Sequence, residues 1–193
     1  MMRSGRLEAF SDGVLAILIT IMVLELKVPH GADWAALQHV FPVLCAYVLS
    51  FIFIGIYWNN HHHMLHTCER VTGGILWANL HLLFWLSLVP VATDWMGENH
   101  SAPLPTAIYG GVLLAAGVAY VILQSAIIRS QGENSKLRSL IGNDLKGKLS
   151  SVLYLTGIGT AFVHTGISQA IYASVAALWL IPDRRIEAKL AQG

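Results

Sequence analysis

The chain has 193 residues, a mass of 21.1 kDa and a formal charge of +1; it is 55% hydrophobic and only 12% charged, with mean hydropathy +0.58. Ordinary soluble domains carry about 25% charged residues, so a water-soluble globule is excluded. A nucleic-acid binder is excluded as well, because no basic excess exists to meet phosphate. Two cysteines without a spacing pattern supply neither a disulfide framework nor a zinc site.

Charges bracket the apolar runs. Gly13 to Leu24 is apolar except for Thr20, and Trp34 to Cys68, Val71 to Thr93, Ser101 to Ile128 and Leu149 to Pro182 contain no Asp, Glu, Lys or Arg. About 20 residues cross the hydrocarbon of a bilayer. The first four runs therefore predict one span each, and the 34-residue fifth run predicts a tight hairpin of two. The expected fold is an all-α polytopic membrane protein, a single domain over residues 1–193, with six transmembrane helices per subunit. They fall near residues 8–28, 39–62, 72–93, 104–128, 147–163 and 167–183. Pro29 and Gly31 end the first, Pro90 kinks or finishes the third, Pro103 and Pro105 open the fourth, Gly166 turns the fifth into the sixth, and Pro182 closes the last.

Arg3 and Arg6 before an apolar run imitate a secretory leader, but Asp12 interrupts it and no small-residue cleavage pattern follows Leu24, so residues 1–30 read as a span. No motif is shared between the first and last three spans, which argues against an inverted-repeat transporter. Basic residues collect on the cytoplasmic side. With six spans, eleven of the twelve fall on the side of the N-terminus: Arg3, Arg6, Arg70, Arg129, Lys136, Arg138, Lys146, Lys148, Arg184, Arg185 and Lys189. Only Lys27 lies opposite, with Asp33, Asp94 and Glu98. The expected location is the cell membrane, multi-pass, with cytoplasmic N- and C-termini.

Two features of the first span carry information. Its start reads Arg6-Leu7-Glu8-Ala9-Phe10-Ser11-Asp12-Gly13-Val14. An ionised Asp inside a span costs about 2.5 to 3.5 kcal/mol on insertion scales, so it faces protein or water and takes a partner. Candidates end the second span: Trp58-Asn59-Asn60-His61-His62-His63, then His66. A histidine there bridging Asp12 and Arg6 is one reading; Asp12 capping its own span, with interfacial histidines, is the other. The second feature is a stripe of Ile17, Thr20, Ile21 and Leu24, spaced to share one helix face. Such a stripe is core or lipid contact by default, with Thr20 bonded to its own backbone. Asp12 below and Glu25 above open the alternative of a wet route with a narrow apolar neck.

Nine histidines raise a metalloenzyme reading. Topology divides them: His30, His39, His100 and His164 near the outer face, His61, His62, His63 and His66 near the inner face, and His81 within the third span. Only the inner four share a locality, and no carboxylate-rich pattern completes a ligand set. No metal and no cofactor is expected.

Arg6-Leu7-Glu8-Ala9-Phe10-Ser11-Asp12-Gly13-Val14, followed by Ala16-Ile17 and Thr20, resembles the signature of the transmembrane protein 175 family of potassium channels, and Trp58 to His62 resembles its second signature. The chain departs from the pattern at His63, where members commonly carry Arg. The resemblance implies a single-repeat prokaryotic member, a homotetramer in which four copies of the first helix line a central pore. Matched to the motif, Ile17 falls on the hydrophobic constriction, Ile21 and Leu24 on apolar rings above it, and Thr20 on a hydroxyl layer. Arg6, Ser11, Asp12 and His61 or His62 fall on the inter-helix polar network. Glu25 sits at the outer mouth, either concentrating cations or pairing with Lys27. No Thr-Val-Gly-Tyr-Gly filter is present, so carbonyl-cage selectivity is not expected. The implied activity is passive conduction of monovalent cations, preferring K+, through a hydrophobic gate, and the protein is not an enzyme. Its partners are the lipid bilayer and its own copies. The alternatives are a proton-coupled secondary cation transporter using Asp12 and His62, and a membrane enzyme holding a metal on the inner histidines.

Overall fold

The computed structural model describes residues 4–132, 135–141 and 144–181. Those residues form eight helices: α1 (Ser4–Leu24), α2 (Trp34–His66), α3 (Gly73–Ser87), α4 (Val89–Glu98), α5 (Pro103–Gln131), α6 (Lys136–Ile141), α7 (Leu145–Ala161) and α8 (Thr165–Leu180). Four starts are closed by side chains that accept an otherwise orphaned amide hydrogen, one of them α6, where Ser135 takes Arg138 N at 3.3 Å. Asp33 takes Ala36 N at 2.9 Å, Thr72 takes Ile75 N at 3.3 Å and Asp144 takes Gly147 N at 3.1 Å.

Four segments are long and apolar enough to cross a membrane: 4–24, 40–66, 73–98 and 103–131. The segment 73–98 comprises α3 and α4, which join at Leu88. Pro90 starts α4 rather than ending the span, because the first turn of a helix needs no amide hydrogen from its residues. The span then continues to Glu98 instead of stopping near residue 93. Further corrections concern ends. α1 occupies 4–24 rather than 8–28, stopping well short of Pro29, and α2 begins at Trp34 and carries Pro42 inside it. The turn between α7 and α8 is made by residues 162–164, and Gly166 sits in the first turn of α8. Pro182 lies outside the described residues. The connection before α7 contains α6, which the apolar pattern did not announce.

α1 packs on both α2 and α3, α2 on α4, α3 on α5, α5 on α7, and α7 on α8. The part of the bundle formed by α5, α7 and α8 is built around Tyr172 of α8. A Cβ on Gly110 of α5 or Gly157 of α7 would collide with its ring, so both glycines admit a large aromatic between backbones. Tyr172 donates its hydroxyl hydrogen to Thr106 O at 3.2 Å and lies 5.7 and 6.3 Å, ring to ring, from Tyr109 and Tyr154. In the half of the bundle nearer Glu98, Thr93 of α4 reaches Ser50 of α2 at 2.7 Å, and Ser50 reaches Tyr109 of α5 at 2.9 Å. Buried hydroxyls there satisfy one another, as the absence of water inside a bilayer requires.

Candidate functional site

α1 has two faces of different fate. Leu7, Ser11, Leu15, Leu18 and Met22 are buried against the bundle at helical spacing. Phe10, Gly13, Ile17, Thr20, Ile21 and Leu24 form the opposite strip and are exposed. Ile17 is 57%, Ile21 40% and Leu24 80% exposed, so nothing within one protomer covers the stripe. From Phe10 to Leu24 the strip rises about 21 Å, at 1.5 Å per residue, and carries no charge. Thr20 donates its hydroxyl hydrogen to Ile17 O at 2.8 Å. Its oxygen lone pairs therefore remain available on the exposed side as acceptors.

The N-terminal end of α1 is tied down within two turns. Ser11 donates to Leu7 O at 2.9 Å, which uses its one hydrogen, so it accepts from Asn79 Nδ2 of α3 at 3.0 Å. The amide orientation is then fixed, and Asn79 Oδ1 accepts from His61 Nε2 of α2 at 2.7 Å. It follows that His61 is the Nε2–H tautomer with a bare Nδ1, and that atom has no partner among the described residues. Ser11, Asn79 and His61 are all buried. On the neighbouring positions, Asp12 accepts from Trp58 Nε1 at 3.0 Å, and Glu8 pairs with His62 Nδ1 at 2.5 Å.

The sequence-expected network is thus divided among different partners. Asp12 meets Trp58 rather than a histidine, His61 meets Asn79, and His62 meets Glu8. Arg6 is exposed and pairs with none of the described residues. Asn79 and Glu8 were missing from the expected set. Asn79 had a signal, as an amide inside an apolar run; Glu8 had only its four-residue spacing from Asp12.

At the other end of α1, Glu25 is exposed and lines a small recess with Met22, Leu26, Val43, Tyr47, Pro90, Thr93 and Asp94. Lys27 pairs with Glu98 of α4 rather than with Glu25. The Glu98 carboxylate raises the Lys27 pKa, first through their hydrogen bond and then through its charge. Among the described residues no three His, Cys, Asp or Glu side chains gather as metal ligands. His62 stacks on His66 at 6.2 Å and sits 5.5 Å from His63, ring to ring, so these histidines form an aromatic row on α2.

An all-helical polytopic membrane protein, with one charge-free helix face left bare and that helix braced by buried hydrogen bonds, is the class these observations define. The family model for the endosomal/lysosomal potassium channel TMEM175 matches residues 6–90. A protein named as a potassium channel in Chryseobacterium sp. (strain P1-3) is 56% identical over 99% of this chain and 100% of its own length. Another, from Streptomyces collinus, is 33% identical over 91% of each chain. The solved structure of a lysosomal potassium-selective channel TMEM175 homolog from Chamaesiphon minutus superposes with a TM-score of 0.81 at 26% identity, covering 92% of this chain and 96% of that one. The chain belongs to the TMEM175 potassium channel family. That family is one of ion channels and not of enzymes.

Proposed function

We propose that the protein is a potassium-preferring cation channel that conducts passively through a pore lined by α1 from several copies of the chain. The observation that carries this reading is the bare face of α1, charge-free from Gly13 to Leu24 and exposed in the protomer, in a member of a channel family. The assembly is a homotetramer in the cell membrane, with α1 nearest the axis and the chain from 1 to 193 acting as one channel domain. Each subunit crosses six times. The first four crossings are α1, α2, α3 with α4, and α5; α7 and α8, of 17 and 16 residues, reach about 24 to 26 Å at 1.5 Å per residue and complete the count. Both termini are cytoplasmic, which keeps eleven of the twelve basic residues on that side.

In this arrangement Ile17 from each subunit meets its copies at the axis and forms a neck too apolar to hold water, and therefore closed to ions until the helices move apart. Ile21 and Leu24 form wider apolar rings above it. Thr20 offers the lone pairs that its own hydrogen bond leaves free, which replaces part of a cation's hydration shell. Selectivity by a hydroxyl layer and partial dehydration is weaker than selectivity by a carbonyl cage. Glu25 at the outer end adds negative potential that draws cations toward the entrance. Ser11, Asp12, His61 and His62 hold α1 in register and lie off the axis, with Arg6 at the inner end.

Purified protein in liposomes carrying an outward K+ gradient tests the reading. Wild type gives a Nernstian potassium potential unaffected by a proton gradient, and Ile17→Asn hydrates the neck, raises flux and narrows the preference for K+ over Na+. Flux that requires protons, or an Ile17→Asn variant with wild-type conductance and selectivity, overturns it.

A further inference from the structure

Two polar side chains, Asn59 and His81, point out of the protomer from apolar helices beside a buried polar layer. The buried Ser11–Asn79–His61 layer serves as a depth marker shared by α1, α3 and α2. Asn59 lies two residues from His61, and His81 two residues from Asn79, in each case toward the far end of the bundle because α2 and α3 run antiparallel. Both therefore sit about 3 Å beyond the layer, at 1.5 Å per residue, and are rotated about 200° away from it. Each is exposed.

Their hydrogen-bonding capacity is complementary. His81 Nε2 accepts from Trp85 Nε1 at 3.0 Å, so a neutral His81 carries its hydrogen on Nδ1 and presents a free donor. Among the described residues, the Asn59 side chain has no hydrogen-bond partner and offers both an acceptor and donors. The match extends along the helices in one antiparallel register. Two residues on the other side of the layer, exposed Trp77 is level with exposed His63. In the opposite direction, Phe84, 55% exposed, lies within one residue, about 1.5 Å, of the level of Gly55, where a Cβ would meet nothing. A bulky ring thus faces a notch, a donor faces an acceptor, and an indole faces an imidazole.

We infer that the α3 face of Trp77, His81 and Phe84 docks on the α2 face of Gly55, Asn59 and His63 of a second copy of this chain, with His81 Nδ1–H donating to Asn59 Oδ1. This rests on the oligomeric pore proposed above. α1 packs on both α2 and α3, so with α1 on the axis the two helices flank it, and closing a ring brings α2 of each copy to α3 of the next. The contact is heterologous: residue pairs join unlike positions, and no residue meets its own copy.

Cysteine crosslinking tests this in a Cys45→Ser/Cys68→Ser background. Two pairs are used, Asn59→Cys with His81→Cys and His63→Cys with Trp77→Cys, each oxidised in membranes and read on a denaturing, non-reducing gel beside the native mass before oxidation. The expected result is a covalent ladder up to the full oligomer in at least one pair, while all four single variants remain monomeric. A pair that dissociates while its parent stays oligomeric also supports the assignment, because these exposed positions matter then only through a neighbour. A native oligomer that gives no ladder with either pair, or single variants that crosslink as well as the pairs, overturns the docking and leaves the oligomer standing. A monomeric parent overturns both.

Discussion

Replacing Asn79 with Leu tests whether the buried polar layer braces α1. The side chain is fully buried and makes two hydrogen bonds, at 3.0 Å to Ser11 and 2.7 Å to His61. Leucine keeps the forked shape, so no cavity forms, but its methyls are larger than the amide oxygen and nitrogen they replace and add some overpacking at contacts of 2.7 and 3.0 Å. Ser11 keeps its bond to Leu7 O and loses only a donor. His61 suffers more: its Nδ1 already lacks a partner, and the substitution strands Nε2–H as well. Interhelical hydrogen bonds in membranes average about 0.6 kcal/mol, whereas a buried donor left unpaired costs about 1–3 kcal/mol. The second figure applies, because here a partner is orphaned inside protein rather than released to another group. For a chain of this size each kcal/mol moves Tm by about 2–4 °C. The expectation is a loss of several degrees in detergent, measured by the decay of the monodisperse oligomer peak on heating. A cycle with His61→Leu is the decisive measurement. The double variant leaves neither partner stranded and is destabilised by less than the sum of the singles, with a coupling of about 0.5–3 kcal/mol. Strict additivity would refute the hydrogen-bonded layer.

Other consequences follow from the same geometry. Gly110→Ala drives a Cβ into the Tyr172 ring, whereas a Cβ at the adjacent Gly111 meets nothing within the protomer; overpacking costs about 1–3 kcal/mol, so the first variant melts lower than the second, and equal melting contradicts the packing. Asp12→Asn retains an oxygen that accepts from Trp58 Nε1, while Asp12→Leu does not; oligomer yield after purification should fall much further for Leu than for Asn, with ion preference little changed in the surviving channels. In the proposed channel, where Glu25 stands at the outer mouth, Glu25→Gln removes negative potential there, so inward K+ conductance drops at about 10 mM salt and recovers near 1 M, where the Debye length shrinks from about 30 to 3 Å; a loss that persists at high salt points to a direct binding role instead.

Hydropathy alone established that the chain belongs in a membrane, because 34 consecutive residues without a charge, and three other long runs like it, have no other low-energy environment. The Arg6 to Val14 motif led to the family from the sequence, and the stripe of Ile17, Thr20, Ile21 and Leu24 was legible from period alone. Partnerships were not. Asp12 paired with Trp58, His61 with Asn79, and Lys27 with Glu98 are separated by 46, 18 and 71 residues. Their choice depends on helix rotation and depth, which local periodicity does not encode. Pro90 marked a kink or an end in the third span, but a proline can end one helix or begin the next, and it was packing against α2 and α5 that continued the span into α4 after Leu88. Which face of α1 stays bare was likewise a tertiary matter: its two stripes are both largely apolar, and the buried one is the one that carries Ser11, because Asn79 waits opposite it.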